Sequence, residues 1–123
     1  VVDRFVVLFE PHFKRNFLHV QDAARVFHHA LDHYEAMKGR PYNVGLSEAN
    51  LSKWELCKVI QKHVPEFQFL VSEIGKDPDC RNYIVSNARI EAACFKTSVS
   101  LDDGIRELLK AFRILRRNQF SNL

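Results

Sequence analysis

The sequence predicts a mixed α/β (α+β) domain of short strands with three to four helices, and three observations predict it. Apolar residues recur at helical spacing in the stretches near 21–37, 52–64 and 100–115. Short apolar, β-branched or aromatic runs lie between them, as strands would. Turn and capping residues mark the joins. With 123 residues, 46% hydrophobic and 27% charged, the chain has room for one domain, 1–123, around one core.

Taken in order, "FVVLF" (Phe5 to Phe9) reads as a strand, and Pro11 supplies the turn after it. "RNFLHV" (Arg15 to Val20) reads as a second short extended segment. From Gln21 to Met37 the positions Ala23, Ala24, Val26, Phe27, Ala30, Leu31 and Tyr34 follow a helical period, with Asp22 in the first turn, where a carboxylate complements the helix dipole. Gly39 stops that helix. "PYNVG" then predicts a short strand ending at Gly45. Ser52 and Glu55 have capping-box spacing, which opens a helix running to about Val64, and Pro65 closes it. "FQFLVSE" reads as a strand, and Ile74 to Tyr83 as a polar loop. A strand-like "YIVS" precedes a short helix over Asn87 to Ala93. Ser100 and Asp103 open the last helix, whose apolar face is Ile105, Leu108, Leu109, Phe112 and Leu115.

Composition excludes several classes of function. Eighteen basic and 15 acidic residues give a net charge of +3 with the signs interspersed, so neither a nucleic-acid stripe nor a polybasic membrane patch is expected. Cys57, Cys80 and Cys94 form no disulfide framework and no CxxC knuckle, which points to a reducing compartment. No run reaches about 18 apolar residues and no signal-peptide pattern is present, so the expected location is cytoplasmic. The chain opens on "VVDRFVVLF", without Met and almost directly in an apolar run, as a chain entered midway would. A missing companion segment is therefore expected.

Among motifs, "YEAMK" (Tyr34 to Lys38) has the Tyr-x-x-x-Lys spacing in which a lysine one turn on lowers the pKa of a tyrosine acid or base. At the end of a helix, next to a turn, it reads instead as a helix terminus with Lys38 near the C-terminal dipole. His29 and His33 share a helical face, but no carboxylate or cysteine at matching spacing completes a zinc site, so no metal is expected. The serines fit caps and turns, and no G-x-S-x-G elbow accompanies them.

Three blocks in order, "FKRNFLHVQDAARVFHHAL", "PYNVGLSEANLSKWELCKVIQKHVPEF" and "DPDCRNYIVSNARIEAACFKTSVSLDDGIRELLKAF", resemble the C-terminal third of extended short-chain dehydrogenases/reductases, the NAD(P)-dependent nucleotide-sugar epimerases and dehydratases. The resemblance implies a parent enzyme whose N-terminal Rossmann portion binds NAD or NADP and carries the catalytic Tyr-x-x-x-Lys. It implies a C-terminal portion that grips the nucleotide diphosphate of the sugar donor. None of the glycines at 39, 45, 75 and 104 has the G-x-x-G-x-x-G spacing, so no complete Rossmann domain, no cofactor site and no catalytic residue are expected in this chain. In the family the catalytic pair precedes the arginine-bearing strand, whereas Tyr34 and Lys38 follow it.

The resemblance assigns Arg15 to the donor diphosphate, a role that suits a planar guanidinium because it can pair two phosphate oxygens. It assigns Lys76 and Asp79 to a second contact loop in which the family places an arginine and, three residues later, an acidic residue that binds the ribose. Lysine there supplies a point charge where the family has a fork, and Arg81 is the nearby substitute. The expected function is thus the nucleotide-sugar-binding part of an epimerase or dehydratase, inactive on its own. The alternative is a stand-alone interaction or nucleotide-binding module without catalysis. A piece separated from its Rossmann partner would expose apolar surface, so self-association is expected.

Overall fold

The computed structural model describes residues 4–75 and 81–114. Their elements run β1 (Phe5–Leu8), β2 (Lys14–Asn16), α1 (Val20–Asp32), α2 (Tyr34–Met37), β3 (Asn50–Ser52), α3 (Lys53–His63), β4 (Gln68–Val71), α4 (Ala88–Ala92) and α5 (Leu101–Ile114). The strands form two separate pairs, β1 parallel to β4 and β2 antiparallel to β3. The mixed α/β class and the short strands are as the sequence predicts. Among the described residues there are five helices, because the Gln21 to Met37 run divides at His33.

Local chemistry explains most boundaries. His19 caps α1 through its ring, which accepts the Gln21 N–H. Ser52 and Glu55 form a reciprocal capping box, the Glu55 N–H donating to the serine hydroxyl and the Ser52 N–H to the glutamate. Those bonds from Ser52 hold the Glu55 carboxyl below its usual range. At α5, the Ser100 hydroxyl accepts the Asp103 N–H at 3.1 Å. Gly39 ends the α1–α2 region at φ +73°, a conformation most side chains avoid.

Two predicted strands do not form. Residues 41–45 pair with no other strand, and Tyr42 and Val44 pack instead on the core of Met37, Ile90 and Phe95. The available edge of β2 is taken by β3, which the sequence gives no sign of. Residues 83–86 also lack a strand ladder, although side chains bind them to the β2–β3 pair.

The core lies between α1 and the segment that follows it in space, α4 to Phe95, with Val26 and Ala30 contributing from α1. One carboxylate anchors its far side. Asp22 is fully buried and accepts the Ser98 N–H, the Val99 N–H at 3.0 Å and the Ser98 hydroxyl at 3.1 Å. Arg25 also donates to it. Burial works to raise the Asp22 pKa, but the Val99 and Ser98 amides, Arg25 and the Ser98 hydroxyl together bring it below the usual carboxylate value.

Candidate functional site

The candidate site is built on β2. Its strand ladder sets Arg15 opposite Leu51 and Asn16 opposite Asn50. Asn16 lies across Gly45 and donates from its amide to the Leu46 carbonyl at 2.8 Å. A Cβ on Gly45 would sit 1.3 Å from the Asn16 Oδ1, so any other residue there would push this side chain aside.

The segment from Arg81 onward is stitched along the same pair. The Lys14 N–H donates to the Asn82 Oδ1 at 2.9 Å. Asn50 then bonds the Val85 backbone with both ends of its amide, accepting the N–H at 2.8 Å and donating to the carbonyl at 3.1 Å. In this way a side chain imitates a strand partner. The result places Arg81 one residue from the asparagine that holds Lys14, although the two lie far apart in sequence.

Arg15 is fixed on two sides. Its Nη1 donates to the Lys14 carbonyl at 2.8 Å, and its guanidinium lies over the Tyr83 ring, 5.3 Å from the centroid. A cation held this way gives up less freedom when an anion arrives. Lys76 and Asp79, the other residues the family resemblance assigns, fall outside the described residues. Of the four, the structure therefore brings together Arg15 and the Arg81 segment.

Two cavities occur elsewhere. An apolar one of about 440 Å³ lies between α3, α5 and residues 17–20. A more polar one of about 290 Å³ is lined by Ser47, Glu48, Glu91 and residues 96–100. Neither includes Arg15 or Arg81.

Other candidate chemistry resolves structurally. Tyr34 is exposed, and the Lys38 ammonium is paired with Glu35, leaving "YEAMK" as a helix end. The His29 and His33 rings stack at 4.1 Å, but each is engaged by a backbone carbonyl, that of Ala93 for His29 and that of His29 for His33. Among the described residues no group of three or more His, Cys, Asp or Glu could hold a metal ion. Burial raises the Cys57 pKa, so this thiol is not an activated nucleophile.

A dinucleotide's pyrophosphate needs a glycine-rich turn opening a helix after a strand. Gly39 and Gly75 occupy positive-φ turns, Gly45 lies under Asn16, and Gly104 sits inside α5 near His19. Strand β3 runs directly into α3 with no glycine between them. Among the described residues no glycine-rich turn joins a strand to a helix.

With this geometry in place, sequence and structure comparisons converge. Residues 6–45 match the NAD dependent epimerase/dehydratase family. This stretch contains most of β1, then β2 with Arg15, α1 and α2. The fold is similar to parts of three solved structures. L-threonine dehydrogenase from Phytophthora infestans superposes with a TM-score of 0.72 at 16% identity, over 91% of this chain and 38% of its own. A GDP-D-glycero-L-gluco-heptose synthase from Campylobacter jejuni, solved in the presence of NADPH, gives 0.69 at 17% identity, over 90% and 34%. RMD from Pseudomonas aeruginosa, complexed with NADPH, gives 0.68 at 22% identity, over 90% and 36%. The chain therefore spans a little over a third of the length of these structures. The resemblance to extended short-chain dehydrogenases/reductases holds, on a matched segment and on fold.

Proposed function

We propose that this chain is the nucleotide-sugar-binding part of an NAD(P)-dependent epimerase or dehydratase. Arg15 holds the donor diphosphate, with Arg81, Lys76 and Asp79 contributing the second contact. The observation that carries this reading is the fixed Arg15 guanidinium on the same strand pair as the Arg81 segment. A further portion of a parent enzyme would complete the site. NAD or NADP, and the residues that move a hydride or proton, belong to that portion. A cytoplasmic location accords with the reading; among the described residues no helix is long and apolar enough to cross a membrane.

Calorimetric titration with uridine and guanosine diphosphates and their sugar conjugates tests the site. Arg15→Ala should weaken the binding of whichever diphosphate the chain takes by roughly 10- to 100-fold, the loss of one charge-assisted contact. Arg15→Lys should recover part of it, because the charge remains but the fork does not. Unchanged affinity in Arg15→Ala would remove Arg15 from the site. The chain alone, supplied with NAD and sugar nucleotides, should show no turnover; measurable epimerisation or dehydration would refute the division of labour.

A second reading, a stand-alone interaction module without catalysis, draws support from one observation. Large apolar side chains remain exposed along α1, where a soluble domain with no partner would carry polar ones. Diphosphate binding by titration favours the first reading, and its absence the second.

A further inference from the structure

Residues 82–86 run beside the β2–β3 pair without forming a strand. The Tyr83 N–H reaches the Lys14 carbonyl at 3.5 Å, longer than an ordinary N–H to oxygen bond, and the Asn43 amide reaches the Ser86 carbonyl at 3.4 Å. Shorter bonds bracket Tyr83. Before it, the Lys14 N–H donates to the Asn82 Oδ1 at 2.9 Å; after it, the Asn50 side chain holds both backbone groups of Val85.

The Asn50 amide is fixed in its orientation. Its oxygen accepts from Val85, while its nitrogen donates to the Val85 carbonyl and to the Ser47 carbonyl at 3.3 Å. A flipped amide would set its oxygen against two carbonyls. Aspartate has the same shape but, once ionised, accepts and never donates. Asn50 makes these bonds from β3, where it is opposite Asn16, whereas the Arg15 guanidinium rests over the Tyr83 ring. Through the segment that carries Tyr83, the amide on one strand therefore bears on the cation of the other.

We propose that Asn50 is a positioning residue of the diphosphate site. By holding Val85 it keeps the Tyr83 ring under the Arg15 guanidinium and the Arg81 segment beside the same strand. The proposal rests on the reading of Arg15 as the diphosphate contact, and adds to it an uncharged residue from a third stretch of the chain. Its physical basis is the cost of ordering. A guanidinium on a docked ring loses little freedom when an anion arrives, whereas one on a loose segment must wait for the segment to order. The ligand in turn favours the docked segment, by the same linkage.

Asn50→Asp tests this through pH. At pH 7 the ionised carboxylate faces two carbonyls, and affinity for uridine or guanosine diphosphate, whichever the wild type binds, should fall roughly tenfold. Protonation returns a donor to this position, so the ratio of wild-type to variant affinity should close toward one at about pH 4. Taking the ratio at each pH cancels the titration of the ligand. Hydrogen exchange at the Val85 amide reads the docking directly: relative to wild type it should be faster in Asn50→Asp at pH 7 and recover in acid. In the wild type it should slow further when the diphosphate is added. A purely structural Asn50 would lower the melting temperature of the variant and leave the affinity of the folded chain unchanged. Wild-type affinity in Asn50→Asp at pH 7, with weak binding in Arg15→Ala, overturns the positioning role and leaves Arg15 in place. A deficit that stays constant from pH 7 to pH 4 overturns it as well. Wild-type affinity in Arg15→Ala removes the diphosphate reading itself, and a wild type that binds neither diphosphate removes both.

Discussion

Asp22→Ala is expected to destabilise the fold by about 3 kcal/mol, lowering the melting temperature by roughly 10 °C. The substitution removes a carboxylate with no exposure to solvent and strands its donors, the Ser98 and Val99 amides and the Ser98 hydroxyl, at a buried position. Arg25 is half exposed and can return to water, which is why the loss falls at the low end of the range for breaking a buried charged contact. Asp22→Asn keeps an acceptor and should lose less. The carboxylate also sets a pH dependence. Its folded pKa lies below the unfolded value of 3.8, so its contribution is complete above about pH 4 and is lost as pH falls through the lowered folded pKa. Denaturant midpoints measured from pH 7 downward should therefore converge for wild type and Asp22→Asn in strong acid. A constant gap across that range would show that the charge contributes nothing beyond the acceptor geometry.

Phe95→Ala is expected to cost about 3–5 kcal/mol, the usual range for truncating a buried phenylalanine. The ring is the largest member of the Met37, Ile90 and Phe95 cluster and also meets His29, at 5.4 Å between centroids, and the Arg25 guanidinium. Its backbone is held in place by the turn before it, where Cys94 adopts φ +64° and the Phe95 N–H donates to the Ile90 carbonyl. The surroundings are thus poorly able to collapse into the space. Phe95→Leu should recover most of the loss. Because Asp22 and Phe95 both hold the 94–99 segment on α1 and share Arg25, the double variant should lose less than the two single losses together. Strict additivity in urea unfolding would show that the two anchors act independently.

What could be read from the sequence follows how local each interaction is. The Ser52 capping box, the Asp103 N–H bond to the Ser100 hydroxyl and the turn at Gly39 are local features, and each stands in the structure where the sequence predicts it. Strand β3 could not be read, because "NLS" has no β-rich pattern and forms a strand only because β2 lies beside it. The reverse holds for "PYNVG", whose residues suit a strand but find no edge to pair with. Asp22 was legible as a first-turn carboxylate, whereas its true partners lie 76 and 77 residues away. In the candidate site, Arg15 could be picked out by family resemblance. The Asn50 side chain that joins the Arg81 segment to it carries no local signal, since an asparagine near a helix start reads as a cap.

The parallel pairing of β1 with β4 has a consequence for the order in which the chain assembles. Phe5 meets Gln68, so this pair forms only after a loop of more than sixty residues has closed. Such a closure loses entropy before any contact compensates it, while α1, α3 and α5 need only their own neighbours. Two strands alone are marginal in water, and here Val7, Leu70 and Val71 are left largely exposed on them. Marginal and exposed, the strand pair is accordingly the first part of the molecule to open.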